Sequence, residues 1–139
     1  MGMKTYLIDD DQLAVYLTEQ LLRAEDFSNS IHTFGSAREA LNTLLGEGQE
    51  AAPQVVFLDL NMPLMNGWQF LDALHPYKAH LLGRCFIYIL TSSLALADLE
   101  KSRQYDLVAG LIHKPIDSGE IRAIQSRLLP GPGPAALWA

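Results

Sequence analysis

Val55-Val56-Phe57-Leu58-Asp59-Leu60-Asn61-Met62-Pro63-Leu64-Met65-Asn66-Gly67 is the stretch whose reading decides the fold. Its first four residues are β-branched, aromatic or aliphatic without interruption, which is the pattern of a short strand buried on both faces of a parallel sheet. A carboxylate, Asp59, stands where that strand runs out. Beyond it Pro63 withholds a backbone donor, and Asn66-Gly67 is a turn pair that tolerates positive φ. In an open parallel sheet, chemistry collects in the crevice past the carboxyl ends of the strands. Asp59 is placed for such a crevice.

The same strand pattern recurs on both sides of this stretch. Upstream, residues 4–8 form an apolar strand that runs into Asp9-Asp10-Asp11, and residues 31–34 form another. Downstream, residues 84–90 end in Thr91-Ser92-Ser93, and residues 109–113 end in Lys114-Pro115. Helical periodicity fills the gaps. Leu13, Leu17, Gln20, Leu21 and Ala24 predict a first helix of about four turns with that face inward. Acidic residues at its start suit the positive end of the helix dipole. Ser36 and Glu39 make a capping-box pattern ahead of a stripe of Ala37, Ala40, Leu41, Leu44 and Leu45, which Gly46 and Gly48 end. A third helix starts near Asn66, with Trp68, Leu71 and Leu74 inward and Pro76 limiting its regular run. Residues 94–105 read as a fourth. Asp117 and Glu120 cap a fifth, whose stripe is Ile121, Ile124 and Leu128. Five strands alternating with five helices imply right-handed crossovers and a doubly wound α/β sheet. One domain is expected over residues 1–129, followed by a Pro/Gly-rich tail over residues 130–139.

Composition sets the function classes aside or keeps them. The 139 residues are 49% hydrophobic and 19% charged, which suits a folded domain with a core of its own. Net charge is −6 and only 10 Lys and Arg are spread along the chain, so a phosphate-backbone face is not expected and no nucleic-acid partner is read. Cys85 is the single cysteine, so no intramolecular disulfide can form. No apolar run reaches the roughly 18 residues of a membrane span. The N-terminus leads straight into a strand rather than a signal peptide. A cytoplasmic location is the expectation.

Four polar groups stand at the same end of four different strands: Asp9-Asp10, Asp59, Thr91 and Lys114. Each has a plain structural explanation on its own, as a cap, a strand terminator or a solvated end. Together they describe phosphoryl transfer to a carboxylate. Clustered carboxylates resist ionising together unless a hard divalent cation sits among them, and Mg²⁺ takes one or two carboxylates plus phosphoryl oxygen and water. The carboxylate nucleophile attacks phosphorus in line, while cation, lysine and hydroxyl neutralise the equatorial oxygens. Small residues such as Ser92 keep the approach to Asp59 open.

Over about residues 3–129 the chain resembles the response-regulator receiver domains of two-component signalling. The matching pieces are Leu7-Ile8-Asp9-Asp10-Asp11, Leu58-Asp59-Leu60-Asn61-Met62-Pro63 with Met65 and Gly67, Leu90-Thr91-Ser92, and Lys114-Pro115. The resemblance implies a flavodoxin-like strand order 2-1-3-4-5. It implies Asp59 as phosphoacceptor, Asp10 as a direct Mg²⁺ ligand, Asp9 acting largely through bound water, and the Asn61 backbone carbonyl as a further ligand. Thr91 would hydrogen-bond the phosphoryl group and Lys114 would pair with it, while Asn61 and Ser93 stand where receivers tune phosphoryl loss. A cis Lys114-Pro115 bond is also implied. The implied function is that of a stand-alone receiver, not an enzyme. It would be phosphorylated by a sensor histidine kinase or a histidine phosphotransfer protein, and would signal by binding a downstream protein or by relay.

One position departs from the common pattern: many receivers carry Tyr or Phe three residues before the lysine, where this chain has Leu111. The usual coupling of threonine to an aromatic ring is then replaced, on this reading, either by backbone movement over residues 91–94 or by service as a phosphoryl relay that needs little surface change. The alternative class is a small aspartate-nucleophile phosphatase of the haloacid-dehalogenase type. Such enzymes carry a second Asp two residues after the nucleophile, and here that residue is Asn61. His32, His75, His80 and His113 lack zinc-like spacing. Trp68 reads as packing, Cys85 as a small buried hydrophobe, and Leu137 and Trp138 of the tail as candidates to pack on the domain or on a neighbouring molecule.

Overall fold

The computed structural model describes residues 3–46, 52–93 and 95–128. Its strands are β1 (Thr5–Ile8), β2 (Ile31–Phe34), β3 (Val55–Asp59), β4 (Phe86–Thr91) and β5 (Val108–His113). They form one parallel sheet in the order β2-β1-β3-β4-β5, the flavodoxin-like order. The crossovers carry α1 (Gln12–Ala24), α2 (Ala37–Gly46), α3 (Gly67–Leu74) and α5 (Leu96–Ser102), and α6 (Ser118–Leu128) follows β5. After α3 the chain makes a 3-10 turn, His75–Tyr77, and a single helical turn, α4 (Lys78–Leu81). Pro76 sits in the first turn of that 3-10 segment, where its missing N–H costs least.

β3 is central because every one of its side chains is apolar until Asp59, and all five residues are buried. Alternation then sorts the core. Val55 and Phe57 join Leu7, Tyr88 and Leu90 on one face, where Leu22 of α1 and Ile121 and Ile124 of α6 close over them. Val56 and Leu58 join Tyr6, Ile8, Ile87 and Ile89 on the other, under Leu41 and Leu44 of α2 and Phe70, Leu71 and Leu74 of α3. Fully burying a side chain of this size is worth roughly 1.5–3 kcal/mol.

Helix ends follow their sequence signals. Asp11 caps α1, accepting from the Leu13 and Ala14 N–H groups at 3.1 and 3.2 Å. Asp117 and Glu120 exchange both bonds of a capping box at 2.8 and 3.1 Å. Ser36 accepts from the Glu39 N–H at 3.0 Å. Asn66 does not use positive φ. It sits at φ −85° and forms a full capping box with Gln69 at the start of α3. The left-handed residue of this loop is Leu64, at φ 70° and fully exposed, a conformation that costs an L-residue roughly 1–2 kcal/mol.

Two packing expectations are corrected. Leu13 and Leu17 are 66% and 57% exposed, while Leu22 is the buried residue of α1, with Val15 and Leu21 packed beside it. Leu13, Tyr16 and Leu17 make the outward face apolar too, so periodicity alone selected the wrong side. The helix expected over residues 94–105 is confined to Leu96–Ser102. Leu94, the tail residues Leu137 and Trp138, and Gly48 lie outside the described residues.

Candidate functional site at the carboxyl ends of the strands

Register brings the strand-end residues together. Ile8 pairs with Leu58, so Asp9 comes level with Asp59 on the neighbouring strand. Asp59 pairs with Leu90, which puts Thr91 one residue further along, and Thr91 pairs with His113 directly before Lys114. Backbone bonds hold these ends: Asp9 N–H donates to Phe34 O at 3.0 Å and Lys114 N–H to Thr91 O at 2.7 Å. The Lys114-Pro115 bond is cis.

Carboxylate oxygens of Asp9, Asp10 and Asp59 lie within 4.8 Å of one another. Asp9 and Asp59 are buried, at 3% and 6% exposure, and Asp10 is open to solvent. Lys114 Nζ reaches both buried members, 2.7 Å from Asp9 Oδ2 and 3.4 Å from Asp59 Oδ1. Asp9 Oδ1 accepts from the Asp11 N–H at 3.0 Å, so both Asp9 oxygens are engaged within the chain. Burial and the Asp9 charge raise the Asp59 carboxyl above its ordinary value, against the opposing pull of Lys114 and the Asn61 backbone amide. Burial works to lower Lys114, yet the hydrogen bond and charge of Asp9, with those of Asp59, raise it.

Three carboxylates against one ammonium leave the cluster with surplus negative charge. Its all-oxygen donor set suits a hard divalent cation, which would relieve the repulsion that Lys114 offsets only in part. Thr91 is buried in the right layer, but its hydroxyl is committed elsewhere. It donates to Ser93 O and accepts from Ser93 N–H, both at 3.1 Å. Ser92 and Ser93 are exposed.

Gly67 contributes what the motif reading did not assign. A Cβ built there would lie 2.9 Å from Asp59 O and 3.0 Å from Leu60 Cα, and its N–H donates to Leu60 O at 3.0 Å. Its value is close approach, which fastens the start of α3 to the residue carrying the carboxylate. The signal in the sequence was glycine itself, read as turn chemistry instead.

Beside the cluster runs an apolar groove of about 220 Å³, with Leu13, Ala14, Leu17, Leu90, Pro115 and Ile116 among its walls and Lys114 at its edge. Cys85 stays out of the site, buried under the α2 and α3 side of the sheet. Burial lifts its thiol to about 12, consistent with an inert hydrophobe.

Residues 6–125 match the protein family described as response regulator receiver domain. Among solved structures, a two-component response regulator from Cytophaga hutchinsonii is 25% identical with a TM-score of 0.82, covering 91% of this chain and 97% of its own. A response regulator receiver protein from Dyadobacter fermentans is also 25% identical, with a TM-score of 0.80 and the same coverages, 91% and 97%. The chemotaxis response regulator CheY4 of Vibrio cholerae shares the fold at 22% identity and a TM-score of 0.72, covering 93% of this chain and 100% of its own. No curated protein matches the chain.

Proposed function

Because the chain belongs to the response regulator receiver domain family, we propose that it is a two-component signalling module in which Asp59 accepts a phosphoryl group from a phosphohistidine. The observation that carries the reading is the buried carboxylate beside Lys114 with two further aspartates in reach of the same cation. Asp10, Asp59 and the Asn61 carbonyl would hold Mg²⁺ directly. Asp9, already bonded to Lys114, would act through water. Bound Mg²⁺ would neutralise the transferring phosphoryl oxygens, and Lys114 would turn from Asp9 toward them. Thr91 would leave Ser93 to donate its hydroxyl. Asn61 stands where a haloacid-dehalogenase-type phosphatase carries its acid, so turnover of generic phosphate esters is not part of this reading.

Incubation with Mg²⁺ and acetyl phosphate is expected to add one acid-labile phosphoryl group, detected by intact mass. No labelling in the presence of Mg²⁺ would defeat the proposal. Mg²⁺ alone is expected to raise the melting temperature, since a ligand at 100 times its Kd stabilises by about 2.7 kcal/mol. Asp10→Asn should remove most of that rise. An equal rise in the variant would exclude Asp10 as a ligand.

The donor is proposed to be a sensor histidine kinase or a histidine phosphotransfer protein. A phosphohistidine can reach Asp59 only if its carrier lies over the rim, and the exposed Leu13, Tyr16 and Leu17 beside the groove offer that carrier apolar surface. Leu17→Asp is expected to lower kcat/KM with the protein donor by about tenfold or more, while acetyl phosphate labels it at the wild-type rate. Equal loss with both donors would place the effect in the fold instead. Among the described residues no helix is long and apolar enough to cross a membrane. A cytoplasmic location, where such donors present their histidines, is part of the proposal.

A further inference from the structure

The N-terminal edge of the sheet, opposite the acidic cluster, carries a cleft of about 380 Å³. It opens where three strands begin. Met3 leads into β1, Gln54 directly precedes β3, and Phe86 is the first residue of β4. Backbone bonds fix that edge: the Gln54 N–H donates to Lys4 O at 2.9 Å and the Phe86 N–H to Gln54 O at 2.8 Å. Met3 and Phe86, with Ala52 and with Leu128 at the end of α6, make the walls apolar. By strand rise, Gln54 lies about 16 Å from Asp59 along β3.

The polar side chains of the cleft, Arg84 and Gln54, have only donors to offer. Gln54 Oε1 is taken by the Lys4 N–H at 3.2 Å, so the group left over is its NH2. Arg84 is exposed, and among the described residues its guanidinium has neither an ion pair nor a hydrogen bond. Its backbone is nevertheless fixed. Gly83, at φ 82°, takes the left-handed step after α4 that a side chain would oppose. The Arg84 and Cys85 N–H groups then both return to Leu81 O at 2.9 Å. Cys85 goes inward and is buried, which leaves Arg84 on the outside. No residue lining the cleft is acidic, and residues 73–97 hold no Asp or Glu, in a chain whose net charge is −6.

We propose that this cleft is a second binding site, for a small monocarboxylate with an aliphatic or aryl body. Three features select that class. The Arg84 fork matches the two oxygens of a carboxylate, and the Gln54 NH2 adds a further donor. A cationic ligand finds no free acceptor on either side chain, and a phosphate monoester brings nearly two charges to a single guanidinium. The apolar walls then reward a body that an ion such as acetate lacks, while a purely apolar molecule would cover the two donors without pairing them. The site shares no residue with the acidic cluster and does not rest on the phosphoacceptor reading of Asp59.

The test is a backbone amide shift titration of the full chain at pH 7 with hexanoate, 1-hexanol and acetate. Hexanoate should give saturable changes at Gln54, at 83–86 and at Leu128, with the amides of Asp9 and Asp59 unmoved. Hexanol, with the same body and no charge, and acetate, with the charge and no body, should each bind about tenfold more weakly or worse. Arg84→Met, an exposed change that leaves the backbone bonds in place, should raise the hexanoate Kd by about tenfold or more, the scale of lost hydrogen bonds to a charged group. Arg84→Lys, which keeps the charge and loses the fork, should fall between the two. Hexanol as tight as hexanoate would mean an apolar cleft without an anion site, and acetate as tight would mean an ordinary surface arginine; either overturns the proposal. So does the absence of saturable change at these residues, whether the chain beyond Leu128 fills the cleft or nothing does, and so does undiminished hexanoate binding by Arg84→Met.

Discussion

Asp59→Asn is expected to take up no phosphoryl group from acetyl phosphate under conditions that label the wild type, and to melt higher than the wild type at neutral pH in chelator. The first effect follows from replacing the carboxylate proposed as nucleophile by an amide of nearly the same volume; labelling should fall to background. The second follows from linkage. Burial and the neighbouring Asp9 raise the Asp59 carboxyl in the folded chain above its ordinary 3.8. A group raised on folding favours the native state fully below its unfolded value, and that contribution is lost as pH rises through the folded value. At pH 7 the wild type therefore carries a partly desolvated, repelled carboxylate that asparagine lacks. The melting-temperature difference should grow from near zero below pH 3.8 to its plateau above the raised value. Mg²⁺ should narrow it, because the proposed ligand set includes the Asp59 carboxylate that the variant lacks. A variant that still labels overturns Asp59 as acceptor, and one that melts lower throughout overturns the electrostatic account.

Gly67→Ala should damage both stability and chemistry. The new methyl would meet Asp59 O at 2.9 Å and Leu60 Cα at 3.0 Å, both backbone atoms that cannot rotate aside. Overpacking of this kind costs about 1–3 kcal/mol. Because the displaced backbone is that of the proposed acceptor, labelling by acetyl phosphate should slow by about tenfold to a hundredfold, the scale expected of ångström-level misplacement. Gly35→Ala serves as the control, since nothing lies within 4 Å of its added Cβ. Urea unfolding and initial labelling rates of the two variants are the measurements. Equal behaviour would mean that the α3 start can retreat from β3 without consequence.

Much of this was legible in the chain. Strands announced themselves because β1, β3 and β4 are buried on both faces and so read as unbroken apolar runs. Their ends were legible because a carboxylate or hydroxyl cannot continue such a run without a partner. Asp9, Asp10, Asp59 and Lys114 could thus be grouped without coordinates, since a parallel sheet places all strand ends on one edge. Capping residues such as Asp117 and Glu120 could be read because their bonds span only three positions.

What the chain did not reveal is of two kinds. The first is choice between similar faces: α1 carries apolar residues all round, so which stripe meets the sheet depends on where β1 and β3 set the helix axis. The structure sends Leu13 and Leu17 outward and Leu22 inward. The second is partnership between distant groups. Whether Lys114 rests on Asp9 or Asp59 depends on differences of tenths of an ångström between strand ends more than fifty residues apart in sequence. Trp68 and Tyr105 meet only because α3 and the segment after α5 cover the same face of the sheet. Thr91 turning to Ser93 depends on the path of the loop after β4. Local sequence determines which groups exist at each strand end and which segments are apolar enough to be buried. Burial then settles which of them touch, because it is the packing of helices onto the sheet, summed over the whole core, that sets their separations.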